Sequence, residues 1–166
     1  VAAGPEGYVV SWYRAAHGGG GIYTRAFDRE GQPLGDVTLI GSPTFAPNSS
    51  LAADGTGGFV LAWGQPPAVF ARRLGSRGEP VGNLITVDTG IGLNPVVKAS
   101  PYGGFWVAWT HAENSNFPTY EQGPIRVRRY SASGEPLGTH TTIPGPAPGP
   151  GHYYAPMAAG IVFHEN

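Results

Sequence analysis

Apolar residues in this 166-residue chain come in short runs punctuated by Gly and Pro, and within the runs the large side chains recur at every second position. That spacing puts them together on one face of a pleated strand. In GYVVSW (7–12) the shared face carries Tyr8, Val10 and Trp12; in GFVLAW (58–63) it carries Phe59, Leu61 and Trp63, and in GFWVAW (104–109) Phe105, Val107 and Trp109. An Arg-bearing stretch follows each run: IYTRAF (22–27), VFARRL (69–74) and IRVRRY (125–130). These lead into GQPLG (31–35), GEPVG (78–82) and GEPLG (134–138). Gly admits positive φ and Pro presets a turn dihedral, so each phrase predicts a tight hairpin.

The phrases mark an internal repeat. Trp12, Trp63 and Trp109 stand 51 and 46 positions apart, a period in the range of propeller blades. Each copy resolves into four predicted strands. Strand A covers 1–3, 50–53 or 96–99, strand B is the run ending in Trp, strand C carries the Arg, and strand D follows the phrase, as in DVTLI (36–40) and NLITV (83–87). The expected fold is all-β, built of tandem four-stranded antiparallel repeats, β-propeller-like, with three blades plus a fragment. The chain reads as a single β-repeat domain over 1–166: repeats at about 1–46, 47–93 and 94–153, then a partial repeat at 154–166 whose APMAAGIVF (155–163) echoes the start of a copy. Propellers close with about four to eight blades, so the chain is expected to self-associate, two copies forming a six-bladed ring, or to be part of a longer repeat chain. A β-trefoil or β-prism closes with three repeats and is the alternative.

GIYTRAFDREGQPLG (21–35) and GGFVLAW (57–63) resemble a family of bacterial repeats found in large secreted and surface proteins, of the form G-G-F-V-V-A-W, a variable loop, then I/V-Y-A-R-R-F-D-x-x-G-x-P-L-G. The resemblance covers most of the chain. It implies a propeller-type fold and an extracellular or cell-surface location, and it says little about activity.

Composition narrows the partners. With ten Lys plus Arg against eleven Asp plus Glu and a formal net charge of -1, the chain has no electrostatic footprint for nucleic acid. It has no Cys, which removes disulfides, thiolate catalysis and Cys-based metal sites. No apolar run reaches the roughly 18 residues of a membrane helix, and Val1 is not followed by a basic segment and an apolar core, so no membrane insertion is expected and the chain reads as cut from something longer. Arg outnumbers Lys nine to one, pointing to a GC-rich bacterial source.

Catalytic signatures are missing: there is no G-x-S-x-G elbow, H-E-x-x-H, P-loop or EF-hand pattern. No cofactor is expected; calcium is left open without a motif to support it. Arg25, Arg72 and Arg128 recur at one strand position, which favours structural guanidinium groups that stack on the strand-B Trp or bond backbone between blades over an anion-binding ring. The three Trp read as inter-blade core. ADGTGGF (53–59) is similar to an Asp-box turn but lacks its flanking Ser and Gly.

The loops differ more than the strands. Antiparallel order puts the A–B and C–D turns on one rim and the B–C and D–A connections on the other. The B–C connection is YRAAHGGGG (13–21), GQPPA (64–68) and THAENSNFPTYEQGP (110–124), and the last D–A connection is PGPAPGPGHYY (144–154). Unequal loops on a rigid scaffold are the layout of a binding face. The candidate ligand-binding residues are His17, His111, Glu113, Asn114, Asn116, Tyr120, Glu121, His152, Tyr153 and Tyr154. The reading is a non-catalytic, lectin-like extracellular module that binds a glycan or a protein. The alternatives are a structural piece of a larger propeller or surface assembly, and a glycoside hydrolase-like module using Glu113 and Glu121.

Overall fold

The computed structural model describes residues 1–17, 20–42, 48–65, 67–112, 122–144 and 160–161. All of its regular structure is β, in three four-stranded antiparallel sheets, each in plain sequential order. Blade 1 comprises β1 (Ala2–Ala3), β2 (Gly7–Arg14), β3 (Gly21–Asp28) and β4 (Thr38–Gly41). Blade 2 comprises β5 (Ser49–Ala53), β6 (Phe59–Gln65), β7 (Ala68–Leu74) and β8 (Pro80–Asp88). Blade 3 comprises β9 (Ile91–Ala99), β10 (Phe105–Ala112), β11 (Gln122–Tyr130) and β12 (Thr141–Ile143). Plain meanders stacked in series make a β-propeller-like array, as the repeat predicts, rather than the trefoil or prism arrangement. The partial repeat at 154–166 lies outside the described residues, apart from Gly160 and Ile161.

The core lies between consecutive blades. One cluster joins Val9, Ile22, Ala26 and Ile40 of blade 1 to Phe59, Leu61, Trp63 and Leu74 of blade 2. A second joins Val60, Ala62, Val69, Ala71 and Val87 of blade 2 to Val97, Phe105, Val107, Trp109 and Tyr130 of blade 3. The strict alternation along strand B is what permits this, since β6 turns Phe59, Leu61 and Trp63 toward the blade in front and Val60 and Ala62 toward the blade behind. A side chain of this size, fully buried, contributes about 1.5–3 kcal/mol.

The Gly-x-Pro phrases form the C–D hairpins, with the same bonds in all three blades. Asp28, Gly75 and Ser131 each donate the backbone N–H to the carbonyl four residues on, and Gly31, Gly78 and Gly134 donate back to Asp28, Gly75 and Ser131. Those three glycines have φ of 83°, 78° and 92°, the left-handed region that disfavours a side chain. In blade 2 the phrase is absorbed into the strand: β8 starts at Pro80, three residues before the predicted strand D. Each hairpin is also tied by its arginine. Arg25 Nε donates to the Gly35 carbonyl at 3.0 Å, an Arg72 terminal nitrogen to Gly82 at 3.3 Å, and Arg128 Nε to Gly138 at 3.1 Å. The structural role is therefore within one blade rather than between blades. The guanidinium groups of Arg25 and Arg128 lie over Phe27 and Tyr130, each 5.8 Å from the ring centre, instead of over the strand-B Trp.

Strand A of blade 3 is longer than predicted, running from Ile91 instead of 96. Gly90 and Pro95 read as breakers, but the register with β10 shifts between Ala108 and Thr110, so that Asn94 and Pro95 together oppose Trp109. This is a β-bulge, where a Pro without an N–H is tolerated and Asn94 takes φ of 49°. In the A–B turn of blade 2 the Asp54 carboxylate accepts from Thr56 N (2.8 Å), Thr56 Oγ1 (2.9 Å) and Gly58 N (2.9 Å), so the Asp of ADGTGGF serves its own turn.

Candidate functional site

The residue just after the first apolar position of strand C is Tyr23 in blade 1, Phe70 in blade 2 and Arg126 in blade 3, each paired with its strand-B Trp. In the first two blades the pair is aromatic, with Trp12 on Tyr23 at 5.9 Å and Trp63 on Phe70 at 5.8 Å between ring centres. Blade 3 breaks this pattern. Arg126 reaches instead toward Asp88, the last residue of β8, with an NH1–Oδ2 distance of 3.1 Å.

Asp88 gathers four groups. Its Oδ2 accepts from Trp109 Nε1 at 2.8 Å as well as from Arg126, and its Oδ1 accepts from the Gly90 amide at 3.3 Å. His111 Nδ1 stands 3.4 Å from Oδ2, at ion-pair distance but without a hydrogen bond. Only Thr89 and Gly90 separate β8 from β9, and that tight crossing brings the strand end of blade 2 against β10 and β11 of blade 3. The His111 ring packs where a side chain at residue 90 would be: a Cβ on Gly90 would fall 2.6 Å from Cε1. At the equivalent place between blades 1 and 2 the strand ends on Gly41, and Trp63 Nε1 is buried with no acceptor among the described residues.

Burial pushes the Asp88 carboxyl up, but the hydrogen bonds from Trp109 and Gly90 and the positive charge of Arg126 and His111 outweigh it, so the group titrates below its ordinary 3.8. At neutral pH it is an anion that positions Arg126 by a hydrogen bond and stands at ion-pair distance from His111. The cluster stays accessible, the side chains of Asp88, His111 and Arg126 being 15 %, 17 % and 22 % exposed. Arg126 Nε is buried without a partner among the described residues. A guanidinium positioned in this way, with an imidazole beside it, is a donor suited to carboxylate or hydroxyl oxygens.

The cluster sits at the rim of the B–C and D–A connections and includes His111. His17 is exposed in the connection after β2, on blade 1. Glu113, Asn114, Asn116, Tyr120, Glu121, His152, Tyr153 and Tyr154 lie outside the described residues. Asp88 and Arg126 were not singled out by loop reasoning because both belong to strands. Arg126 leaves a signal in the repeat alignment, standing where the other copies carry an aromatic; Asp88 leaves none, since the strand-D spacing differs between copies. Among the described residues no three His, Cys, Asp or Glu side chains converge on a metal position. A shallow groove of about 450 Å³ lies on the opposite rim, between the first two blades, and includes Glu6, Asp54 and Arg73 in its walls.

No protein-family model matches the chain, and no curated protein matches it. Among solved structures it is similar to a thermostable family-43 glycoside hydrolase, with a TM-score of 0.49 and 14% identity over 87% of this chain and 57% of that one. The chain thus spans a little over half the length of that hydrolase.

Proposed function

We propose that the chain is a non-catalytic extracellular binding module that holds a glycan at the rim between blades 2 and 3, on Arg126, His111 and the adjoining B–C loop that carries Asn114, Asn116 and Tyr120. One observation carries this reading: the repeat is broken at strand positions where Asp88, His111 and Arg126 meet beside the longest B–C connection. A scaffold role alone is met in the other blades by aromatic pairs, and a ligand site is what departs from repeat symmetry. Asp88 is a poor general acid, because its neighbours keep it ionised. The hydrolase alternative rests on Glu113 and Glu121.

Binding to a broad glycan array, with and without calcium, tests the reading. The unmodified chain is expected to bind a restricted set of glycans, and Arg126→Ala to lose at least about tenfold in affinity, the equivalent of 1.4 kcal/mol. A triple change of Asn114, Asn116 and Tyr120 to Ala places the loop in or out of the site. Binding that survives Arg126→Ala and His111→Ala counts against the cluster, and no binding at all favours the structural-piece alternative.

A further inference from the structure

Each contact between blades joins unlike faces. The front of blade 2, with Phe59, Leu61 and Trp63, packs on Val9, Ile22 and Ala26 at the back of blade 1. The front of blade 3, with Phe105, Val107 and Trp109, packs on Val60, Ala62 and Ala71 at the back of blade 2. Aromatic fronts thus sit on backs of small and branched side chains.

Among the described residues one face of each kind is left half-covered. At the front of blade 1, Tyr8, Val10, Trp12, Tyr23 and Phe27 are half-buried and Leu39 is 49% exposed. At the back of blade 3, Ala108 and Thr110 are buried, but Ile125 and Val127 are half-buried and Ile143 is 49% exposed. The register equates Ile125 and Val127 with Val69 and Ala71 of blade 2, both 0% exposed beneath blade 3. The hairpin glycines follow the same order. A Cβ on Gly78 would meet Thr24 and Val9 of blade 1 at 3.3 Å and one on Gly134 would meet Ile85 of blade 2 at 2.8 Å, so each hairpin lies on the back of the blade before it, whereas Gly31 of blade 1 is exposed.

We propose that the front of blade 1 docks on the back of blade 3 of a second copy of the chain, and that two copies close head to tail into a ring of six blades. The contact continues the interface already made twice inside the chain, an aromatic front on a small and branched back, and it brings Gly31 to the place that Gly78 and Gly134 hold. A single head-to-tail contact leaves one front and one back still open, and only closure covers both. Two copies of three blades make six, within the range of about four to eight in which propellers close. The contact uses sheet faces and leaves the rim open, so it stands apart from the glycan reading.

The solution mass of the purified chain, followed by light scattering over a range of concentrations, tests it. The expected result is twice the 17.3 kDa chain mass. Val10→Asp, at the front of blade 1, and Val127→Asp, at the back of blade 3, are each expected to give the single-chain mass with the β circular dichroism unchanged. Mixed in equal amounts, the two variants are expected to regain the double mass, because the intact blade 1 of one meets the intact blade 3 of the other. A single-chain mass of the unmodified chain at every concentration overturns the proposal, and so does a mass that keeps growing beyond two copies. A dimer that withstands either substitution, or a mixture that stays at the single-chain mass at the highest concentration, overturns it too. Should a variant fail to fold, Leu39→Asp and Ile143→Asp, at positions 49% exposed in the single chain, take their places with the same expected outcomes.

Discussion

Two equivalent tryptophans show how one neighbour changes the worth of a side chain. Trp63 and Trp109 are both buried, but Trp109 Nε1 reaches Asp88 and Trp63 Nε1 reaches no acceptor among the described residues. The hairpin glycines carry a similar lesson. Gly31→Ala would meet only the backbone cost of φ at 83°, about 1–2 kcal/mol, because its nearest neighbour is Tyr8 Oη at an ordinary 3.5 Å. Gly134→Ala adds a 2.8 Å approach to Ile85 across the blade interface, and such overpacking costs about 1–3 kcal/mol more. Thermal unfolding of the two variants is expected to show Gly134→Ala with the clearly lower midpoint. Equal midpoints would mean that the interface relaxes around residue 134.

At the scale of elements, the side-chain hydrogen bonds from the end of β8 to blade 3 run through one carboxylate. A carboxyl whose folded value is depressed contributes stability above its unfolded value of 3.8, and this contribution is lost as pH falls through the lower folded value. Denaturant unfolding from neutral pH to below 3.8 is expected to show an acid loss of stability that Asp88→Asn diminishes. In that variant stability at neutral pH drops as well, since Arg126 loses its counter-charge. An unchanged acid limb would assign the acid sensitivity to other carboxylates.

Over the whole molecule, the two core clusters lie between consecutive blades, so the value of a residue depends on whether a blade stands in front of it. Trp109→Ala, in a position 0 % exposed, is expected to cost about 3–5 kcal/mol. Trp12→Ala, at the same position of the repeat in half-buried blade 1, is expected to cost markedly less in dilute solution. Paired denaturant curves check this. Comparable losses would mean that the first blade is covered as fully as the third.

The order of strands, the hairpins and the facing of every strand-B side chain were legible in the chain, because a period of two and a Gly-x-Pro turn are local consequences of φ/ψ preference and pleating. Arginine recurrence correctly pointed to structure, but its acceptor, a carbonyl ten residues on in the same blade, depends on how the hairpin folds back. The bulge at Asn94 and Pro95 was hidden, since the residues that make it resemble a strand break. Of the rim cluster only His111 was among the candidates. Asp88 meets Trp109 and Arg126 across 21 and 38 positions of sequence, so the stacking of blade 2 on blade 3 alone brings them together. Sequence by itself determined the blade, through interactions between near neighbours in the chain. Tertiary structure decided which faces are covered and where charge collects, because both depend on contacts between blades.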